Sequence, residues 1–259
     1  METKTGRDVV RHPFFSSPRP LVFAHRGGAA LKPENTIEAF DNGMRLGADG
    51  LELDVHLSRD GAVLVHHDRT LDRTTPLRGP VAARTADELR RAGVPLLTEV
   101  LTRHREARVI IELKVNAPEL AGAAVDAIRR ADAVDRVCLG SFGLRVLRAV
   151  RSMEPAIATS AAREEVRLAL YRSWIRWPVR RARYQGYQVP EVAGATRVVS
   201  PRFVADAHRA DLAVQVWTVN TDADARRLLS WGVDALITDR PDLIVPLVHD
   251  VTDERTHTR

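Results

Sequence analysis

The stretch that most constrains this chain runs from Leu51 to Asp68, Leu-Glu-Leu-Asp-Val-His-Leu-Ser-Arg-Asp-Gly-Ala-Val-Leu-Val-His-His-Asp. Two runs of alternating apolar and polar side chains flank Asp60-Gly61, the dipeptide that most strongly signals a two-residue type I′ hairpin turn. So short a connection cannot make a parallel crossover, and the second run must lie antiparallel beside the first. If Arg59 and Ala62 close the turn, Leu57 faces Leu64, Val55 faces His66 and Asp54 faces His67, with Glu52 two residues back on the same face. The hairpin then gathers two carboxylates and an imidazole. A slip of one residue would present His66 in place of His67. Two acids on one strand face repel each other unless a cation or basic group lies between them; on an open, half-wet sheet they would merely be solvated.

Around this hairpin, short apolar runs alternate with helical patterns. Pro20 to Ala24 reads as a strand buried on both faces, ending in His25-Arg26-Gly27-Gly28. Titratable groups at the C-terminal end of a buried strand, followed by glycines, mark the catalytic mouth of α/β folds; the plainer reading of His25 is a ring satisfied by a nearby carbonyl. Pro33-Glu34-Asn35-Thr36 opens a helix with an apolar stripe at Ile37, Phe40 and Met44. Val109 to Lys114 is a further buried strand ending in charge, with Glu112 and Lys114 on one side. Later strands are expected at 136–142, 156–160, 197–200, 213–219 and 235–239, with helices between. Eight strands alternating with helices, not counting the hairpin's return strand, predict an α/β (β/α)₈ TIM barrel with a small insertion, a hairpin plus a short helix, after the second strand. The expected layout is a loosely ordered tail over 1–19, a barrel domain over 20–247 with its insertion at about 59–94, and a C-terminal tail over 248–259.

At 259 residues the chain suits one barrel of roughly 250 residues. The net charge of +5 is local, because residues 163–183 hold seven arginines against two glutamates. That argues against a nucleic-acid-binding domain. The single Cys138 excludes an internal disulfide framework and, with no signal-like N-terminus and no long apolar run, leads to the expectation of a cytoplasmic protein.

The ordered set His25-Arg26-Gly27, Pro33-Glu34-Asn35-Thr36, Glu52-Leu53-Asp54-Val55, His67-Asp68, Ile111-Glu112-Leu113-Lys114, Trp217-Thr218-Val219-Asn220 and Thr238-Asp239-Arg240-Pro241 resembles the glycerophosphodiester phosphodiesterase family. The resemblance extends from about Leu21 to Val245, and the chain departs from the family pattern in an extra His66 and a short insertion. It implies a TIM barrel and a divalent metal held by Glu52, Asp54 and Glu112. It also implies His25 and His67 as an acid/base pair, Arg26 and Lys114 on phosphate oxygens, and Trp217 as a wall of the glycerol pocket. An all-carboxylate set is hard and oxygen-rich, which suits Ca²⁺ or Mg²⁺. The implied reaction hydrolyses a small glycerophosphodiester to glycerol 3-phosphate and an alcohol. His25 is then expected as base and His67 as acid, through attack by the glycerol 2-hydroxyl or, as the rival, by a water at the metal. A phospholipase D-type activity on lysophospholipids at a membrane surface would use the same polar site but need an apolar channel.

Within 163–183, Val166, Leu170, Trp174 and Trp177 fall at helical spacing before Pro178. The ordinary expectation is a barrel helix whose Trp stripe packs inward. The alternative is peripheral membrane contact, with Trp and Arg docking an anionic lipid surface.

Overall fold

The computed structural model describes residues 12–257. Eight parallel strands carry the sheet: β1 Leu21–His25, β2 Gly50–Leu57, β4 Arg108–Leu113, β5 Val137–Gly140, β6 Ala158–Thr159, β7 Gly186–Pro190, β10 Ala213–Trp217 and β11 Ala235–Thr238. Their order, β6-β5-β4-β2-β1-β11-β10-β7, curls until a parallel bridge between Ser160 and Gly186 joins the two ends. Helices follow the strands: α1 Ile37–Arg45, α3 Leu97–Arg103, α4 Pro118–Arg130, α5 Leu144–Met153, α6 Arg163–Trp174, α7 Pro201–His208, α8 Asp222–Ser230 and α9 Pro241–His257. This is the expected (β/α)₈ barrel.

Strand alternation divides the core in two. In β2, Leu51, Leu53 and Val55 point outward into the layer shared with the helices, together with Val22 and Ala24 of β1 and Val109, Ile111 and Leu113 of β4. The intervening residues point into the barrel. Phe23, Ile110, Cys138, Ala213, Ala235 and Ile237 fill its interior, and Glu52, Asp54 and Glu112 continue the same inward rows.

Residues 12–19, expected to belong to a loose tail, instead close the bottom of this interior. Pro13–Phe15 form one 3-10 turn, Phe14 and Phe15 are buried, and Phe14 stacks on Phe23 with ring centroids 5.7 Å apart. The other expected tail, from residue 248, continues α9 with Val248 fully buried. The ends of both expected tails, residues 1–11 and 258–259, lie outside the described residues.

Two local expectations need correction. The hairpin pairs β2 with β3, Val63–Val65, in the register Val55↔Val65, His56↔Leu64 and Leu57↔Val63, one residue away from the expected one. A type I′ turn needs positive φ at both central residues. Here Gly61 has φ +82° and Asp60 does not have positive φ; instead the Ser58 hydroxyl accepts from Ala62 N and donates to Asp60, closing a three-residue loop. The sixth barrel strand is Gly186–Pro190, not 197–200. Thr196–Arg197 (β9) pairs antiparallel with Val192–Ala193 (β8) in a small exposed hairpin, and Val198 and Val199 are buried in the segment leading to α7.

The insertion after β2 has the expected hairpin and short helix, α2 Ala86–Arg91, started by a Thr85–Glu88 capping box. Leu64, Leu71, Val81, Leu89 and Val94 give it a small core of its own.

Replacing Phe14 with Ala should cost about 3–5 kcal/mol, the usual penalty for emptying a fully buried aromatic site. Urea denaturation of the variant checks this, and a tail without structural weight would show no change.

Candidate active site

The inward rows of β1, β2, β4, β10 and β11 end together at the C-terminal mouth of the barrel. Parallel register sets His25 beside Glu52 and Asp54 beside Glu112, so three acids and an imidazole meet across two ladders. Carboxylate oxygens of Glu52, Asp54 and Glu112 come within 4.8 Å of one another. Asp54 is 1% exposed and Glu52 6%.

This burial is electrostatically costly. Desolvation and the neighbouring Asp54 push the Glu52 carboxyl up to about 8, against the pull of His25. Burial also raises Glu112, against Lys114. Asp54 goes the other way: burial is outweighed by Lys114, Arg26 and His67 and by the amide of Asn35, which donates to Oδ2 at 3.0 Å. Lys114 Nζ stands 3.3 Å from Asp54 Oδ1 and 3.4 Å from Glu112 Oε1, without hydrogen-bond geometry to Glu112. Glu112 Oε1 and Asn35 Oδ1 are therefore buried oxygens with no hydrogen bond. Converging carboxylates with an unsatisfied buried oxygen are a donor set that a hard divalent cation fits.

The loop after β1 is shaped by close approach. Gly27 has φ +88°, and a Cβ there would lie 2.7 Å from Ala39. The turn that results presents Arg26 N to Glu52 Oε2 at 3.1 Å and Arg26 Nη1 to Glu34 Oε1 at 3.0 Å.

Both histidines are held the same way. His25 Nδ1 lies 2.7 Å from Asp239 Oδ1, and His67 Nδ1 lies 2.6 Å from Asp68 Oδ1. A carboxylate accepts, so each ring carries its proton on Nδ1 and leaves Nε2 for other work. Burial opposes charge on His25, but Glu52 and the hydrogen bond and charge of Asp239 outweigh it and raise its proton affinity. Asp239 is fixed by Asn220, whose Nδ2 donates to Oδ2 at 2.9 Å. Asp68 is held well below the usual carboxylate range, first by its hydrogen bond from Arg73. Arg73 also donates to both oxygens of Glu34, so an alternating chain Arg26, Glu34, Arg73, Asp68, His67 ties the β1 loop to the hairpin.

His67 reaches the mouth by a different route from the expected one. The observed register puts His66 level with Asp54, and His66 N donates to Asp54 O, but β3 ends at Val65. The chain then turns, the His66 ring packs away against Thr70 O, and His67 lines the cleft. All eight residues singled out from the sequence converge at the mouth. Asp239, Asp68, Arg73 and Asn220 were not; of these, Asp239, Asp68 and Asn220 stand inside recognised motifs.

The cleft has a volume of about 610 Å³. Beyond the charged centre it passes Trp217, packed edge-on to Phe142 at 6.3 Å, and continues as an arm walled by Val166, Leu170, Val189, Ala193 and Val198.

Residues 25–243 match the model of the Glycerophosphoryl diester phosphodiesterase family. The chain belongs to that family. It is 34% identical to a glycerophosphodiester phosphodiesterase of Caldanaerobacter subterraneus subsp. tengcongensis, over 89% of this chain and 98% of that protein. It is 32% identical to one of Bacillus altitudinis, over 87% and 97%. Its fold is similar to that of an Oleispira antarctica phosphodiesterase solved with the product sn-glycerol-3-phosphate, with a TM-score of 0.75 and 25% identity over 89% of this chain and 97% of that one.

The buried acids give this phosphodiesterase a pH signature without cation. Glu52 has an ordinary value of 4.5 and a folded value near 8, so between those limits the folded state holds a proton that the unfolded chain has released. Stability then falls as pH rises through that window. Urea denaturation in chelator should show this fall for the wild type and a shallower one for Glu52→Gln; equal slopes would refute the assignment.

Proposed function

We propose that this enzyme hydrolyses glycerophosphodiesters to glycerol 3-phosphate and an alcohol, with Glu52, Asp54 and Glu112 holding Ca²⁺ or Mg²⁺. The observation that carries this reading is the pairing of two carboxylate-backed histidines with a buried triple-acid cluster at one barrel mouth. When bound, the cation supplies positive charge to the phosphoryl oxygens as negative charge develops on them. Arg26 and Lys114, both lining the cleft, add fixed charge to the same oxygens. Trp217 offers an apolar face to the glycerol carbons.

His25 acts as the base. Its Nε2 removes the proton of the glycerol 2-hydroxyl, whose oxygen attacks phosphorus, while His67, entering the step as the imidazolium, gives its Nε2 proton to the departing alcohol oxygen. The resulting cyclic phosphate is opened by water with the two histidines in exchanged roles. Glu52 and Asp239 raise the proton affinity of His25, which suits it to accept the proton. Asp239 and Asp68 accept from Nδ1 of each ring, which leaves Nε2 to exchange the proton, bare on His25 and protonated on His67 at the start of the step. A cytoplasmic setting belongs to the reading and is supported by the lone buried Cys138.

A second substrate class is favoured by one observation, the apolar arm of the cleft. A glycerophosphodiester that carries an acyl chain, a lysophospholipid, would place its chain there and undergo the same cleavage.

His67→Ala should lower kcat on glycerophosphocholine by on the order of 10²–10⁴-fold, with Asp239→Asn showing a smaller loss at little-changed KM. Stopped choline-release assays check both, and near-normal turnover by folded His67→Ala would defeat the assignment. Chelation should abolish turnover, and returning Ca²⁺ or Mg²⁺ at a hundredfold excess over Kd should stabilise the fold by about 2.7 kcal/mol; calorimetry reads the second effect independently of activity.

A further inference from the structure

Helix α6 is apolar on two opposite faces. Val166, Ala169 and Leu170 face inward, and Ser173 hydroxyl bonds Asp206 of α7. Leu168, Tyr171 and Ile175 recur three and four residues apart on the other side and are 50–57% exposed. Trp174 and Trp177 are 59% and 63% exposed, so the expectation that the Trp stripe packs inward fails for both. Five of the ten large apolar side chains that stand exposed among the described residues fall within 168–177. A monomer rarely leaves so dense a patch uncovered without a use for it.

The same segment is strongly basic. Arg163, Arg167, Arg176, Arg180, Arg181 and Arg183 are exposed, and among the described residues no ion pair involves any of them. Arg172 stacks on Trp177 at 5.0 Å and donates from Nε to its carbonyl at 2.9 Å, which holds that indole outward. Indoles and aliphatics bordered by unpaired guanidinium groups match an anionic bilayer, with apolar side chains sinking below the headgroups and arginines at the phosphates. A second copy of the chain fits poorly, because a twofold interface would set this arginine cluster against its own image.

We propose that α6 and the turn after it dock the phosphodiesterase on an anionic lipid surface, so that lysophospholipids enter the apolar arm of the cleft from the bilayer. The proposal rests on the phosphodiesterase reading for its substrate and on the α6 surface alone for its binding. A single helix links the two: its inner face walls the arm through Val166 and Leu170, and its outer face carries the docking stripe. Arg163 and Arg167, at the end of α6 nearest the mouth, line the same cleft, which sets basic groups where a headgroup would pass.

The test is co-sedimentation of the 259-residue chain with phosphatidylcholine vesicles, with and without phosphatidylglycerol. Hydrolysis of vesicle-embedded lysophosphatidylcholine and of monomeric glycerophosphocholine is measured alongside. Wild-type protein should bind only the anionic vesicles, and less as salt rises. Trp174→Ala/Trp177→Ala should bind at least roughly tenfold more weakly and lose a similar factor on embedded substrate, while its turnover of glycerophosphocholine, which also reports correct folding, stays within about twofold. Arg180→Glu/Arg181→Glu should weaken vesicle binding likewise. Wild-type protein left in the supernatant with anionic vesicles, Trp variants that bind like wild type, or capture by duplex RNA in place of vesicles would overturn the proposal. Failure to hydrolyse glycerophosphocholine would count against the catalytic reading, with the vesicle arm still deciding the docking.

Discussion

Three carboxylates, two buried and one half-buried, with oxygens within 4.8 Å of one another, are the constraint around which this molecule is arranged. Little water reaches them, and desolvation pushes each carboxyl toward its protonated form. The fold answers with cations placed by neighbouring strands: Lys114 lies between Asp54 and Glu112, and Arg26 reaches Asp54 at 3.4 Å from the loop after β1. The compensation is incomplete, as the raised Glu52 and the unbonded Glu112 oxygen show. An arrangement of this kind gains stability from a further positive charge among the acids.

The backbone makes this economical. In a parallel barrel every strand alternates between the helix layer and the interior, and the interior narrows to a packed plug of Phe14, Phe15 and Phe23. Moving up the same inward rows, mostly apolar residues and the hydrogen-bonded pair Gln188 and Gln215 give way to the acids, His25 and Trp217 at the mouth. The hydrophobic lower barrel thus fixes the spacing of the polar upper end, and second-row contacts such as Asn220 to Asp239 and Arg73 to Asp68 fix each ring. Precision at the mouth is inherited from packing below it.

Much of this was legible in the sequence wherever local pattern and global fold agree. The apolar runs at Leu21, Val109 and Ala235 announce strands, and the charges that end them announce the mouth. The strand Gly186–Pro190 was not legible because Gly, Gln and Pro carry little strand propensity, and the nearby Val198-Val199 mimicked a strand with better composition. The Phe14-Phe15 pair sat among prolines and serines with no period, and its burial depends on contacts far along the chain. Hairpin register failed at Ser58, whose hydroxyl favours a longer loop than Asp-Gly alone suggests. Helical spacing revealed a stripe in α6 but could not say which side of the helix met the core, and the indoles turned out to face away from it.

One seam sets the barrel apart from a uniformly closed one. Strands β2 and β4 share six register pairs, whereas β6 and β7 meet through the single bridge between Ser160 and Gly186. The apolar arm of the cleft borders that seam through Ser160 and Val189. A cylinder hooped on seven sides has its sparsest lacing on the eighth, where Gln185 N donates to Thr159 O and Ala161 N to Gly186 O. The wall with the least backbone pairing thus stands beside the apolar lining, while the acids and His25 sit on β1, β2 and β4 across the barrel.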